Sequence, residues 1–178
     1  MTHRAAPQRV ALLGMMGSGK STIGRLLAAR TGWPFHDNDA LLERATGLTA
    51  RDLLATRGEE ALRAAEADAL RLGLTQPAPL ILGVAAGTIE DAQLREQLRD
   101  AATVVWLRAD PATLAERAAG AAHRPWLETD AAAWLRATAA KRAALYESVA
   151  DLAIDTDAHT PDQAAAVISE RLSLPSKA

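Results

Sequence analysis

At 178 residues the chain fits one domain, long enough to bury most of its apolar surface without disulfides or metals. Its 20 Lys and Arg are scattered among 22 Asp and Glu for a formal charge of -2, which leaves no broad basic field and sets nucleic acid aside as a partner. The absence of Cys removes a disulfide framework, a thiolate zinc site and a thiol nucleophile, in keeping with a cytoplasmic protein. The polar start Met1-Thr2-His3-Arg4, followed by an apolar run that Gly14 soon breaks, reads neither as a signal segment nor as a membrane span.

The run Val10-Ala11-Leu12-Leu13 reads as a first strand. It leads into Gly14-Met15-Met16-Gly17-Ser18-Gly19-Lys20-Ser21-Thr22, which satisfies G-x-x-x-x-G-K-S/T, and then into the helical pattern Ile23, Leu26, Leu27. A glycine-rich turn between strand and helix lets backbone N–H groups converge on phosphate oxygens, and the helix start adds unsatisfied donors and the positive end of its dipole. Lys20 is placed to reach the outer phosphates, and the Ser21 hydroxyl to hold Mg²⁺. The helix is expected to run from 20 to about 31 and to stop at Gly32.

Trp33-Pro34-Phe35-His36 reads as a short second strand ending in Asp37-Asn38-Asp39, where open α/β sheets place their ligands. One of these three residues is expected to cap the next helix, which leaves the other carboxylate for a site. Residues 48 to 73 hold two helical segments separated by Gly58, and Arg63 and Glu66, three apart, share a face of the second. Taken alone, that pair reads as a solvated surface salt bridge. After Pro77-Ala78-Pro79 come a buried strand, Leu80-Ile81-Leu82, and the small-residue turn Gly83-Val84-Ala85-Ala86-Gly87, which is either a backbone approach to ligand or a plain βα turn.

A helix over 89 to 98 precedes the unbroken apolar strand Thr103-Val104-Val105-Trp106-Leu107, whose character implies a parallel sheet covered on both faces. Pro111 opens the next helix. The stretch from about 118 to 130, with His123-Arg124-Pro125-Trp126-Leu127, reads as a lid over phosphate, with an ordinary surface loop as the alternative. A long helix from about 131 to 149 carries Lys141, Arg142 and Tyr146. Ala153-Ile154-Asp155 is a fifth strand, and a final helix after Pro161 buries Ala165, Ile168 and Leu172. The four His residues show no ligand spacing. Five strands alternating with helices and opened by a phosphate turn make an α/β fold: a doubly wound five-stranded parallel sheet of the P-loop NTPase class.

A Ras-type GTPase would need N-K-x-D and D-x-x-G segments, and the chain has neither. An ATPase motor is weakened because Arg108-Ala109 stand before Asp110 at the end of the fourth strand. A small nucleoside monophosphate kinase-like enzyme with a lid remains. The ordered set of motifs then resembles the shikimate kinase family over almost the whole chain. It comprises the phosphate turn through Ile23-Gly24-Arg25, Asp37-Asn38-Asp39, Gly58-Glu59-Glu60 with Leu62-Arg63 and Glu66, Arg124-Pro125, Lys141-Arg142 with Leu145-Tyr146, and Asp155-Thr156-Asp157 with Pro161.

The resemblance implies a single kinase domain over 1-178, with substrate-binding helices at about 38-73 and the lid at about 118-130. It implies ATP as co-substrate, bound by Gly17, Ser18, Gly19, Lys20, Ser21 and Thr22, with Mg²⁺ at Ser21 and Asp37. Asp39 would hold the acceptor hydroxyl and help take its proton. Arg63, steadied by Glu66, would grip the acceptor's carboxylate together with Arg142, beside Gly87. Arg124 would neutralise charge on the moving phosphoryl group, and Arg117 with the loop before Pro161 would pack around adenine. A monomer acting on a small molecule in the cytoplasm, with no nucleic-acid or membrane partner, is the expectation.

The pocket walls depart from the family pattern. Its three successive glycines are Ala85, Ala86 and Gly87 here, so two methyl groups are expected to narrow the pocket or to bar a positive φ. Leu54 and Leu62 stand at two aromatic positions, Trp126 follows Arg124-Pro125 where Leu is usual, and Ala144 replaces a Pro. Two alternatives to phosphorylation of shikimate follow: another small hydroxylated acid as acceptor, or an ATP-binding regulatory protein with weakened turnover.

Overall fold

A computed structural model of the chain describes residues 8–119 and 131–177. Arg124, His123 and Trp126, and with them most of the expected lid, lie outside the described residues. Strands β1 (Arg9–Leu13), β2 (Phe35–Asp37), β3 (Leu80–Gly83), β4 (Thr103–Arg108) and β5 (Leu152–Asp155) form one parallel sheet in the order β2-β3-β1-β4-β5. The helices are α1 (Lys20–Thr31), α2 (Asn38–Thr46), α3 (Ala50–Thr75), α4 (Ala92–Ala101), α5 (Pro111–Ala119), α6 (Ala131–Val149) and α7 (Pro161–Arg171).

Strand alternation divides the core between the two faces. Val10 and Leu12 pack with Ile23 and Leu27 of α1 and with Ala164, Ala165 and Ile168 of α7. Ala11 and Leu13 pack with Leu42, Leu70, Leu98, Leu135 and Tyr146, contributed by α2, α3, α4 and α6. A strand buried on both sides needs an apolar residue at every position, which accounts for the unbroken runs in β1, β3 and β4. The order puts β1 at the centre, so the turns after β1, β2 and β3 open side by side at the carboxyl edge of the sheet, where the chain reverses its winding direction.

Several expected boundaries move. The second strand begins at Phe35, two residues late. Residues Ala86–Glu90 form a short 3₁₀ turn, and α4 starts at Ala92 because Asp91 accepts the N–H groups of Gln93 and Leu94 as its N-cap. The expected break at Gly58 is present: its φ of 82° and ψ of 178° interrupt α3, splitting it into two helical segments.

One close approach sets where β2 sits. A Cβ on Gly24 of α1 would lie 2.3 Å from the Phe35 ring. Gly24→Ala is therefore expected to push β2 outward and to cost about 1–2 kcal/mol after the gain in helix propensity is subtracted. Urea denaturation of the variant checks this, and a midpoint equal to or above that of the parent chain would show that Phe35 yields freely.

Candidate active site

The phosphate turn folds as its glycines demand. Gly14, Gly17 and Gly19 have φ of 149°, 81° and 94°, and a Cβ on Gly14 would meet the Leu107 carbonyl oxygen at 2.5 Å. Helices α2, α3, α4 and α7 start under a side-chain cap from Asp37, Thr49, Asp91 and Thr160, whereas α1 starts at Gly19 with none. Its first N–H groups are thus not taken up by a side-chain cap, an arrangement suited to an anion. Lys20 Nζ donates to the carbonyls of Gly14 and Met15 at 2.9 and 3.0 Å, which keeps the ammonium over the turn.

The Ser21 hydroxyl donates to Asp37 Oδ2 at 2.5 Å, while Asp37 Oδ1 accepts the N–H of Asp39 at 3.1 Å. Asp37 is thus the expected cap and also touches the phosphate turn through its second oxygen, while Asp39, the other carboxylate, lines the cleft as well. A hydroxyl and a carboxylate in contact at the edge of the turn form a hard-oxygen donor set. No group of three or more His, Cys, Asp or Glu side chains among the described residues converges to hold a metal. The two oxygens instead fit Mg²⁺, which takes one or two protein ligands and completes its shell with phosphate oxygens and water.

Across the cleft, Arg63 donates to Glu66 at 2.7 Å and to Glu59 at 3.1 Å. The Arg63–Glu66 pair is not the solvated surface bridge that spacing alone suggests, since the Glu66 side chain is only 10% exposed. Burial raises the Glu66 carboxyl above its ordinary range against the pull of Arg63, and the negative charge of Asp39 adds to the rise. Arg142 is also close enough to act on Glu66 electrostatically. Gly87 makes room for this arrangement: a Cβ there would lie 2.0 Å from Arg63 Nη1.

Arg142 is buried, its side chain 5% exposed, and its Nε and Nη2 reach Glu90 Oε1 at 2.8 and 2.7 Å. Beneath it the Tyr146 hydroxyl donates to the Ala86 carbonyl at 3.0 Å, and the Tyr146 ring stacks on Trp106. Burial pushes the Tyr146 hydroxyl well above its ordinary pKa, so it stays a donor. Ala85 has φ -60° and ψ 136°, and among the described residues only Ser173 is a non-glycine with positive φ. The concern that alanines at 85 and 86 would bar a required positive φ is thus corrected, although both still line the cleft.

At the other end, Arg117 donates to the Thr156 hydroxyl and carbonyl, each at 3.2 Å, and pairs with Asp157 at 3.3 Å. One cleft of about 1190 Å³ takes in this end, the phosphate turn and the arginine cluster. It brings together Gly17, Ser18, Gly19, Lys20, Ser21, Thr22, Asp37, Asp39, Arg63, Gly87, Arg117 and Arg142, which is every expected site residue except Arg124. Sequence reasoning passed over Glu90, which lies fifty-two positions from Arg142 with no spacing to connect them. It also passed over His159 and Trp134, which line the cleft.

Comparison with known proteins agrees with this geometry. A family model described as shikimate kinase matches residues 16–173. The shikimate kinase of Symbiobacterium thermophilum is 39% identical over 166 residues, covering 92% of this chain and 95% of that one. That of Thermobifida fusca is 37% identical over 161 residues, covering 90% and 92%. Among solved structures, shikimate kinase from Acinetobacter baumannii in complex with shikimate superposes with a TM-score of 0.86 at 31% identity, covering 93% of each chain. With the phosphate turn, the paired oxygens and the two arginines Arg63 and Arg142 in one cleft, these matches place the chain in the shikimate kinase family, phosphotransferases that use ATP to phosphorylate a hydroxyl group.

Proposed function

We propose that the chain transfers the terminal phosphoryl group of ATP to a hydroxyl of shikimate, yielding shikimate 3-phosphate and ADP. The observation that carries this reading is a pair of arginines, Arg63 and Arg142, lining the same cleft as the phosphate turn. A planar guanidinium suits a carboxylate, and a turn of N–H donors suits polyphosphate, so an acid bound at one end presents a hydroxyl toward the other.

In this reading the turn amides and Lys20 hold the phosphates, and Ser21 and Asp37 hold Mg²⁺. Bound there, the ion would neutralise charge on the phosphate oxygens. Asp39 orients the acceptor hydroxyl and accepts its proton as the oxygen bonds to the terminal phosphorus and the bond to ADP breaks. Arg117 and the loop before Pro161 flank adenine. Arg124, by family resemblance, meets the moving phosphoryl group. The remaining parts of the reading are a single kinase domain over 1-178, acceptor helices at about 38-73, a lid at about 118-130, and a monomer working in the cytoplasm. The chemistry asks mainly for positioning and charge neutralisation, and a cleft of opposed cationic groups supplies both.

ADP release measured with and without shikimate tests the assignment directly, with stimulation to about 1–100 per second expected. A panel of related polyhydroxy acids runs alongside, because Ala85, Ala86, Leu54 and Leu62 all line the cleft and reshape its walls. Stimulation only by a different acid would reassign the acceptor. Tight ATP binding without stimulated turnover would mark a regulatory protein.

Two substitutions separate the halves of the site. Arg63→Ala is expected to raise the shikimate KM by about 10- to 100-fold, the loss of a charged hydrogen-bonding group, with the ATP KM within about twofold of the parent value. Gly87→Ala adds a single methyl against the Arg63 guanidinium. It is expected to raise the shikimate KM about tenfold while the melting temperature stays within about 2 °C, since the clashing atoms end a flexible side chain. Unchanged acceptor kinetics in both variants would remove Arg63 from the binding of the acid.

A further inference from the structure

Arg142 is more deeply buried than Arg63, and its surroundings are unlike those of Arg63. The Glu90 carboxylate bridges two cations: Oε1 accepts from Arg142 Nε and Nη2 at 2.8 and 2.7 Å, and Oε2 accepts from Lys141 Nζ at 2.7 Å. Hydrogen bonding from Lys141 and from Arg142 outweighs partial burial and holds the Glu90 carboxyl below its ordinary range, so it stays charged. Arg142 lines the cleft, but neither Glu90 nor Lys141 does, and the carboxylate therefore grips the guanidinium from outside.

A guanidinium has two edges able to take a carboxylate, the side edge of Nε with Nη2 and the end edge of Nη1 with Nη2. Glu90 fills the side edge. Away from that edge, Nη1 lies 3.8 Å from Met15 Sδ, a weak acceptor and itself a cleft residue, and the guanidinium also interacts with the neutral Tyr146 hydroxyl. The strong partner faces away from the cleft and the weak one faces into it.

We propose that Glu90 is a positioning residue for acceptor binding, locking Arg142 by its side edge so that the end edge alone is presented to the acceptor's carboxylate. Glu90 opens no competing site of its own. It fixes one rotamer of a long, entropically free side chain before the acceptor arrives, and preorganisation of this kind appears in KM rather than in the chemical step. The 3₁₀ turn that ends at Glu90 also contains Gly87, against which Arg63 packs, so one short segment sets both arginines. This role rests on the acid-kinase reading above and adds a determinant to it.

Steady-state kinetics of Glu90→Ala and Glu90→Gln against the parent chain test the role. Glu90→Ala is expected to raise the shikimate KM about tenfold with kcat lowered less than about threefold and the ATP KM within about twofold. Glu90→Gln keeps an oxygen that accepts from Nε and Nη2 but loses the charge, so its shikimate KM should fall between those of parent and Ala variant. The Gln variant carries the test if the Ala variant fails to fold, and a parent-like KM in it would then overturn the role. A shikimate KM that is unchanged in Glu90→Ala removes Glu90 from acceptor binding, and one that falls shows the carboxylate competing with the acceptor. Failure of the parent chain to use shikimate is a distinct result, which overturns the acceptor assignment and Glu90's role with it.

Discussion

The arrangement of Arg63 at the cleft wall depends on one buried acid. Glu66 is held inside by α3 and takes the Arg63 guanidinium at 2.7 Å, while Asp39 and Arg142 act on it electrostatically. A buried carboxylate without a cation would be costly, and Arg63, part-exposed at the cleft wall, supplies that cation, so the pairing holds both side chains in place. The geometry that follows is strict. Arg63 must lie flat over a residue with no side chain, and Gly87 is that residue. Removing Glu66 would leave a cation at the cleft wall with Glu59, an exposed neighbour, as its remaining anchor.

The sheet supplies the rest by placing three turns at one edge. The β1 turn carries backbone donors, the β2 end carries Asp37 and Asp39, and the β3 end carries Gly87 and, at the close of its 3₁₀ turn, Glu90. The phosphate turn, Asp37, Asp39 and Gly87 thereby gather at the ends of neighbouring strands, and Arg63 and Arg142 reach the same cleft from α3 and α6. Asp37 joins the two halves, since it caps the helix that presents Asp39 and holds the hydroxyl of the phosphate turn.

Features encoded locally were legible in the chain. The phosphate turn, the capping acid, the Gly58 break and the Pro161 helix start all depend on neighbours within a few residues, and short-range sterics decide them. Depth and distant pairing were not. Spacing shows that Arg63 and Glu66 share a helix face, but which face the sheet covers is a tertiary matter, so the pair read as solvated. Glu90 meets Lys141 and Arg142 only because α6 packs against the turn after β3, and no local pattern encodes that. Glycines in this turn pointed to a required positive φ, whereas Ala85 has ordinary extended backbone and the close approach of Arg63 is what demands a residue without a Cβ at position 87.

A crystal structure of the chain with ADP, Mg²⁺ and shikimate tests the central claim most directly. The account predicts the acid's carboxylate within hydrogen-bonding distance of both Arg63 and the Nη1 and Nη2 atoms of Arg142, with a hydroxyl beside Asp39 directed at the phosphate turn. Shikimate bound away from this cleft, or bound in it with both arginines turned aside, would contradict the account.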